Sequence, residues 1–335
     1  MEYRDLSRIV ASDADDGVDP PARVRRFEFV RSTGRLDLRK LAAALLLSAS
    51  LLGVLFYAGG QALNSGVAWL HRQPQYQLPF DRIELPIPPP ACFRGGTSTF
   101  LDRVRRNAEE SEVLPILDVD PERIRAAFKR FPWVEQVLSV EFPPRGLVVR
   151  LAYREPVAKV QLPGADQLLL DREGCILPVD DIDVEQVKRL IWIRGDGLTA
   201  PAKDRVGKLW RTEASETSRG AVVDRGVIQA AHLAGFLLEP ARREQAESSS
   251  ALRIVTIYAT DPPANRGLFI RNADGTTILW GRGPGDEQPG EQTAPEKWEI
   301  LVDQAGRNLL KPGQLGDFWE FGRNEMRFKR VASGS

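Results

Sequence analysis

The thirty residues between Lys40 and His71 carry no formally charged side chain. A hydrocarbon slab about 30 Å thick is crossed by about twenty apolar helical residues. Leu41 to Ala62 has that length, with Leu45, Leu46, Leu47, Leu51, Leu52, Val54, Leu55 and Phe56 as its body. An ionised side chain at mid-bilayer costs about 2.5–3.5 kcal/mol on insertion scales, so chance is a poor explanation for so long a charge-free run. A single N-terminal transmembrane helix over residues 41–62 is the first expectation.

The flanks orient it. Arg23, Arg25, Arg26, Arg31, Arg35, Arg39 and Lys40 stand before the apolar run, whereas beyond Arg72 the next basic residue is Arg82. Cytoplasmic flanks carry the excess of Lys and Arg, so residues 1–40 are expected inside the cytoplasmic (inner) membrane and the remainder outside it. A cleaved signal peptide has a short basic start and an apolar core of about 7–15 residues. This longer core follows a long leader and precedes no clear small-x-small site, so a retained anchor fits better. Arg25-Arg26 lies too far from the apolar run for a twin-arginine signal. Asp13, Asp15, Asp16, Asp19 and Pro20-Pro21 mark the cytoplasmic tail as largely disordered.

Basic and acidic residues balance at 46 each. That balance gives no reason to expect nucleic acid as a partner. Two cysteines, Cys92 and Cys175, cannot build a disulfide framework; one bridge is open, and two partly buried thiols are the better reading.

After a linker at 63–79, Phe80–Leu85 alternates like a short strand, stopped by Pro86, Pro88, Pro89 and Pro90. Pro86–Thr99 reads as a surface excursion, with a short helix over Phe100–Ala108. Asp120-Pro121-Glu122 is a helix start, and Ile124, Ala127, Phe128 and Phe131 form its buried stripe. Pro132 ends that helix. Val134–Phe142 is expected as a strand with Leu138, Val140 and Phe142 on one face, answered after Pro143, Pro144 and Gly146 by Leu147, Val149, Leu151 and Tyr153.

From Val157 the pattern turns strand-rich. Strands are expected at Val157–Leu162, Leu168–Leu170, Leu190–Arg194, Arg253–Ala259, Gly267–Arg271, Thr276–Trp280, Asp317–Phe321 and Met326–Val331. Asp171–Gly174 and Asn272–Gly275 are turns between them. Helices are expected through Val227, Ala231, Ala234 and Leu238, closed by Pro240, and over Glu296–Leu310 with Trp298, Leu301, Ala305 and Leu309 on a stripe. The fold class is α+β.

Chemistry has few candidates. The two histidines, His71 and His232, form no metal-ligand pair, and neither Cys-x-x-Cys, Gly-x-Ser-x-Gly nor Ser-x-x-Lys occurs. Asp118 and Asp120 fit helix capping. Gly281-x-Gly283-x-Gly285 lacks a lysine and a following helix, so it reads as a connection and not a phosphate loop. No catalytic, metal or cofactor site and no small-molecule substrate are expected. An anchored hydrolase using Asp171 or His232 is the chemical alternative.

The run from Phe131 to Val160 resembles the FtsQ/DivIB bacterial cell-division proteins. Its landmarks are Pro132, Trp133 and Val134; Pro144, Leu147 and Val149; Arg154, Pro156, Val157 and Ala158; then Leu169, Asp171 and Gly174. Tyr153 stands where that family usually has glutamate. The resemblance implies a POTRA domain at 80–155 with an insertion at 86–113, then a strand-rich β domain with flanking helices at 156–331. It implies a septal scaffold that binds FtsB-like and FtsL-like bitopic proteins, and an FtsK-like protein at the POTRA side. A terminal β-domain strand would offer its edge to the partner. The residues expected there are Phe318, Trp319, Phe321, Met326, Arg327, Phe328, Lys329 and Arg330. A POTRA-containing protein of secretion or envelope assembly is the alternative.

Overall fold

The computed structural model describes residues 38–71, 73–144, 146–162, 167–259, 267–313, 317–322 and 325–330. Residues 1–37, most of the expected tail, lie outside them. Helix α1 (Leu38–His71) contains the charge-free run. Its large side chains from Leu45 to Tyr57 are each at least 62% exposed. The apolar stretch isolated within it is Leu45–Gln61, and among the described residues no single helix is long and apolar enough to cross a membrane.

Residues 66–335 form one compact unit with two hydrophobic cores. The first core begins at β1 (Gln77–Pro79), followed by a 3-10 turn, Phe80–Arg82, where a strand was expected. Prolines at 79 and 86 remove backbone donors on both sides of that segment. Pairing survives as one parallel bridge: Glu84 N–H donates to the Leu147 carbonyl and Val149 N–H to the Glu84 carbonyl, both at 2.9 Å.

The excursion expected over residues 86–113 instead contains core structure. Phe93 is buried, and helix α2 (Gly96–Asn107) fully buries Phe100, Leu101 and Val104. Strand β2 (Val113–Pro115) returns to pair with β1. Helix α3 (Pro121–Lys129) starts as its sequence dictates, with the Asp120 carboxylate accepting from Glu122 N–H at 2.9 Å. It buries Ile124, Ala127 and Phe128.

Strands β3 (Val134–Glu141) and β4 (Val148–Tyr153) pair antiparallel, with register shifts between Val134 and Gln136 and between Val137 and Ser139. These bulges re-phase the alternation. Val134 and Val137 are therefore buried, while Leu138 and Phe142, expected inward, are exposed. Leu147, Val149 and Leu151 face inward as expected. The first core also takes Leu169, Leu177 and Ile182 from beyond residue 156.

The second core lines a nine-stranded mixed sheet. Its strands are β5 (Pro156–Val160), β6 (Leu168–Asp171), β7 (Ile176–Leu177), β8 (Ile191–Arg194), β9 (Ile254–Tyr258), β10 (Leu268–Asn272), β11 (Thr277–Gly281), β12 (Phe318–Phe321) and β13 (Met326–Lys329). Their order is β13-β12-β11-β10-β9-β8-β5-β6-β7. The β5–β8, β8–β9 and β11–β12 pairs are parallel and the others antiparallel.

Short helix α4 (Val184–Arg189) precedes β8. Helix α5 (Ser218–Leu237) fully buries Val227, Ala230, Ala231, Leu233 and Ala234 in this core. A Cβ added at Gly226 would stand 2.1 Å from the Ala259 carbonyl oxygen, so glycine permits the close approach of α5 to the sheet. Pro240 does more than end α5: it opens a second helix, α6 (Pro240–Ser248), bent 77° from the first. Together the two have the length and apolar content of a bent span, but the apolar part of α5 is packed in the second core.

Helix α7 (Ala294–Gly306) starts on a reciprocal capping box between Thr293 and Glu296. Asn308 takes a left-handed conformation beyond its end, and Leu310 is buried there while Leu309, expected on the stripe, is exposed. Among the described residues this is an α+β fold of seven α-helices and thirteen strands.

Phe100→Ala is expected to cost about 3–5 kcal/mol in chemical denaturation of the full chain, as for a large aromatic deleted from a packed core. A loss below about 1 kcal/mol would place α2 outside the core.

Candidate docking edge

Seven of the eight residues expected at the terminal edge lie in β12 and β13, and Arg330 follows directly after β13. The strands pair antiparallel, Phe318 with Lys329, Trp319 with Phe328, Glu320 with Arg327 and Phe321 with Met326. The ladder continues at Gly322, whose N–H donates to the Glu325 carbonyl at 2.7 Å. Antiparallel pairs alternate between exchanging both hydrogen bonds and exchanging none. Gly322 and Glu325 are a bonded pair, so Glu320–Arg327 and Phe318–Lys329 are also bonded. The peptide groups of Met326 and Phe328 then point away from β12, where β13 meets no further strand among the described residues.

Side chains divide by face. Met326 is buried, and Phe321 stands edge-on to Trp280 with ring centroids 5.6 Å apart. Trp319 donates its indole N–H to the Lys311 carbonyl at 3.1 Å and lies 5.3 Å from the Phe328 ring. Phe328 itself is 39% exposed, forming an apolar rim on the edge. On the other face Phe318 is buried edge-on against Phe269. Arg327 and Lys329 stand there 3.6 Å from Glu325 and Glu320 respectively, and Arg330 is exposed. The basic edge anticipated from sequence is thus partly neutralised by its own glutamates.

The opposite edge of the sheet is closed by the chain itself. Ile176 N–H donates to the Lys208 carbonyl, Gly207 N–H to the Ile176 carbonyl and Trp210 N–H to the Gly174 carbonyl, all at 2.8–3.0 Å. Trp210 fixes this strap by donating its indole N–H to Asp224 at 2.9 Å. Nothing in the sequence periodicity marked Gly207–Trp210 as an edge cover. An edge strand with unpaired peptide groups can template an added strand, and β13 pairs with no further strand among the described residues.

The other landmarks are structural. Trp133 is fully buried and donates its indole N–H to Asp181 at 2.9 Å; Arg103 forms an ion pair with the same carboxylate. Pro132 packs beside Gly207. Val134 lies in the first core, and Pro156 opens β5. Arg154 donates its backbone N–H to the Trp133 carbonyl and its guanidinium to Asp171 at 2.5 Å. Burial works against the Arg154 charge, but the hydrogen bond and charge of Asp171 outweigh it and its pKa is raised. Asp171 also accepts from the N–H groups of Glu173 and Cys175, so its oxygens serve the turn that the sequence indicated. Asp181, which the sequence did not single out, is a buried acceptor.

The Gly281–Gly285 loop is organised by this chain's own carboxylates. Glu291 accepts from Arg282 N–H at 2.8 Å and Gln288 N–H at 3.1 Å, and Glu287 accepts from Gly285 N–H at 2.8 Å. Lys297, buried in α7, reaches Glu291 at 2.6 Å. Burial raises the Glu291 carboxyl, but these donors outweigh it and hold its pKa below the usual glutamate value. Among the described residues no three His, Cys, Asp or Glu side chains gather where they would hold a metal ion. Cys92 and Cys175 are free thiols. Burial is the main cause that pushes Cys92 up to about 11.

No protein-family model matches the chain, and no curated protein sequence matches it significantly.

Two outcomes follow from this geometry. Asp181→Ala strands the Trp133 indole N–H and removes a charge partner from Arg103, and is expected to cost about 1–3 kcal/mol in chemical denaturation, with Asp181→Asn costing less; equal losses would contradict the charged acceptor role. Alkylation of Cys92 by iodoacetamide, followed by mass spectrometry, should be slow near about pH 8 and rise as pH approaches the raised thiol pKa, since thiolate is the nucleophile. Rapid labelling of the folded chain near about pH 8 contradicts its burial.

Proposed function

We propose that this chain is a membrane-anchored scaffold of the bacterial cell-division complex, of the FtsQ/DivIB kind, which binds partners by accepting a strand at the free edge of β13. The open edge is the observation that carries the reading: peptide groups at Met326 and Phe328 are directed outward, with Phe328 as an apolar rim. Backbone pairing supplies affinity in such docking, and alternate side chains supply selectivity. An FtsB-like protein is the proposed strand donor, with an FtsL-like protein beside it.

The rest of the molecule supports that role. Two helices followed by an antiparallel pair, with Pro132-Trp133-Val134 entering β3, match the order implied by a POTRA domain, where an FtsK-like partner would engage. Helix α1, which exposes leucines all round, suits a lipid surround better than water. The described apolar stretch Leu45–Gln61 is by itself shorter than a span; the proposed anchor of the inner membrane rests on the whole charge-free run between Lys40 and His71, with the N-terminus cytoplasmic and the remainder exported. The chain acts by docking and makes no covalent chemistry.

Phe328→Pro removes one outward N–H without breaking a β12–β13 ladder bond. Pull-down of the FtsB-like protein by the full chain should fall at least about tenfold, while α-helical circular dichroism stays unchanged. Undiminished capture counts against edge docking. A fluorescent fusion should gather at the septum; uniform envelope fluorescence would assign the chain to envelope assembly or secretion instead.

A further inference from the structure

Lys297 is the least expected residue in the molecule: a lysine 1% exposed, on a helix whose remaining buried face is apolar or neutral. Burial of an ammonium is costly unless it is paired and hydrogen-bonded. Two contacts offset that cost, and both lead to the β12–β13 hairpin.

The first contact is the ion pair with Glu291. Glu291 is fixed on its other side by the N–H groups of Arg282 and Gln288. It lies so close to Gly281 that a Cβ there would stand 2.3 Å from its carboxylate oxygen. Gly281 itself has φ +89, so glycine is required at the end of β11 for two separate reasons. With Glu291 held, the next residue, Gln292, donates its side-chain amide to the Gly322 carbonyl, at the turn that joins β12 to β13. The second contact runs through aromatic rings. The Lys297 ammonium stands 5.6 Å from the Trp280 ring, and Trp280 meets Phe321 of β12 edge-on. Phe321 pairs with Met326 across the ladder.

β12 joins the rest of the sheet through a short parallel ladder, Ile278 with Trp319 and Leu279 with Glu320. Such a junction is a weak hold for a terminal hairpin. We propose that Lys297 is a positioning residue for the docking edge: through Glu291–Gln292 and Trp280 it fixes the hairpin against the sheet, so that the outward peptide groups of β13 are presented in one register. This rests on the docking role proposed above for β13. It adds a determinant off the edge strand itself, in the helix that packs against β13 and in the loop that leads to that helix.

The test compares the full chain in lipid nanodiscs with its Lys297→Met and Gln292→Ala variants. Lys297→Met keeps the side-chain length and removes the charge; Gln292→Ala removes the side-chain bond to Gly322. Amide hydrogen exchange is read at 318–322 and 325–330, with Ile254–Tyr258 as the internal reference. Both variants should speed exchange in the hairpin about threefold to tenfold and leave the reference unchanged, since one net hydrogen bond is worth about 0.5–1.5 kcal/mol. Capture of the FtsB-like protein should weaken in parallel. Unchanged hairpin exchange in both variants overturns the proposal, as does acceleration that spreads equally to Ile254–Tyr258, which would make Lys297 a general core residue. If the unsubstituted chain binds no FtsB-like protein, the docking role fails, while hairpin exchange still decides the role of Lys297.

Discussion

A sheet has two margins, and every peptide group on them needs a hydrogen-bond partner from somewhere. In this protein the two margins are treated differently. At β7 the partners come from Gly207–Trp210, a strap fastened to α5 through Asp224. At β13 the groups of Met326 and Phe328 point away from β12 and pair with no further strand among the described residues. Helix α7 packs its Trp298 and Leu301 into the core that also holds Met326. Parallel, doubly bonded strands lie in the middle of the nine, with a margin covered by the strap on one side and, among the described residues, a margin without a further strand on the other.

The two cores are joined by polar contacts that burial makes specific. Asp181, on the stretch following β7, takes the Trp133 indole and the Arg103 guanidinium, and its backbone carbonyl accepts from Arg94. Asp171, at the end of β6, takes Arg154 and two turn amides. A carboxylate buried with its lone pairs filled tolerates one arrangement of its donors and penalises others. These two acids therefore fix how the helical first core meets the sheet more narrowly than the shared apolar contacts of Leu169, Leu177 and Ile182 would do alone.

Local rules carried far into the structure. Asp120-Pro121 starts α3, Asn272–Gly275 turns β10 into β11, Asp171–Gly174 turns β6 into β7, and the strands through Val149, Ile193 and Phe328 lie where alternation put them. Failures came where tertiary context overrides pattern. Bulges in β3 turned Leu138 outward, prolines reduced the strand expected at Phe80–Leu85 to a bridge, and Phe93, Phe100 and Leu101 drew a supposed excursion into the core. At the edge, β13 was legible because its residues are extended and mixed in polarity. The strap was not, because its hydrogen bonds come from irregular chain without periodicity. Lys297 and Asp181 were invisible for a related reason: a charged side chain reads as surface until its buried partner is known.

The short parallel ladder between β11 and β12 has a further consequence. Opening free energies in a folded protein range from near zero to the global value, and the least interlocked segments open first. With a short ladder to β11 and no further strand beyond β13 among the described residues, the terminal hairpin is expected to open before the β5–β8–β9 centre yields. A ligand that binds only the closed form raises the free energy of that opening by mass action. Strand addition at this margin would raise the cost of opening the hairpin beyond what its own contacts supply, and protease resistance of the C-terminal region would report occupancy.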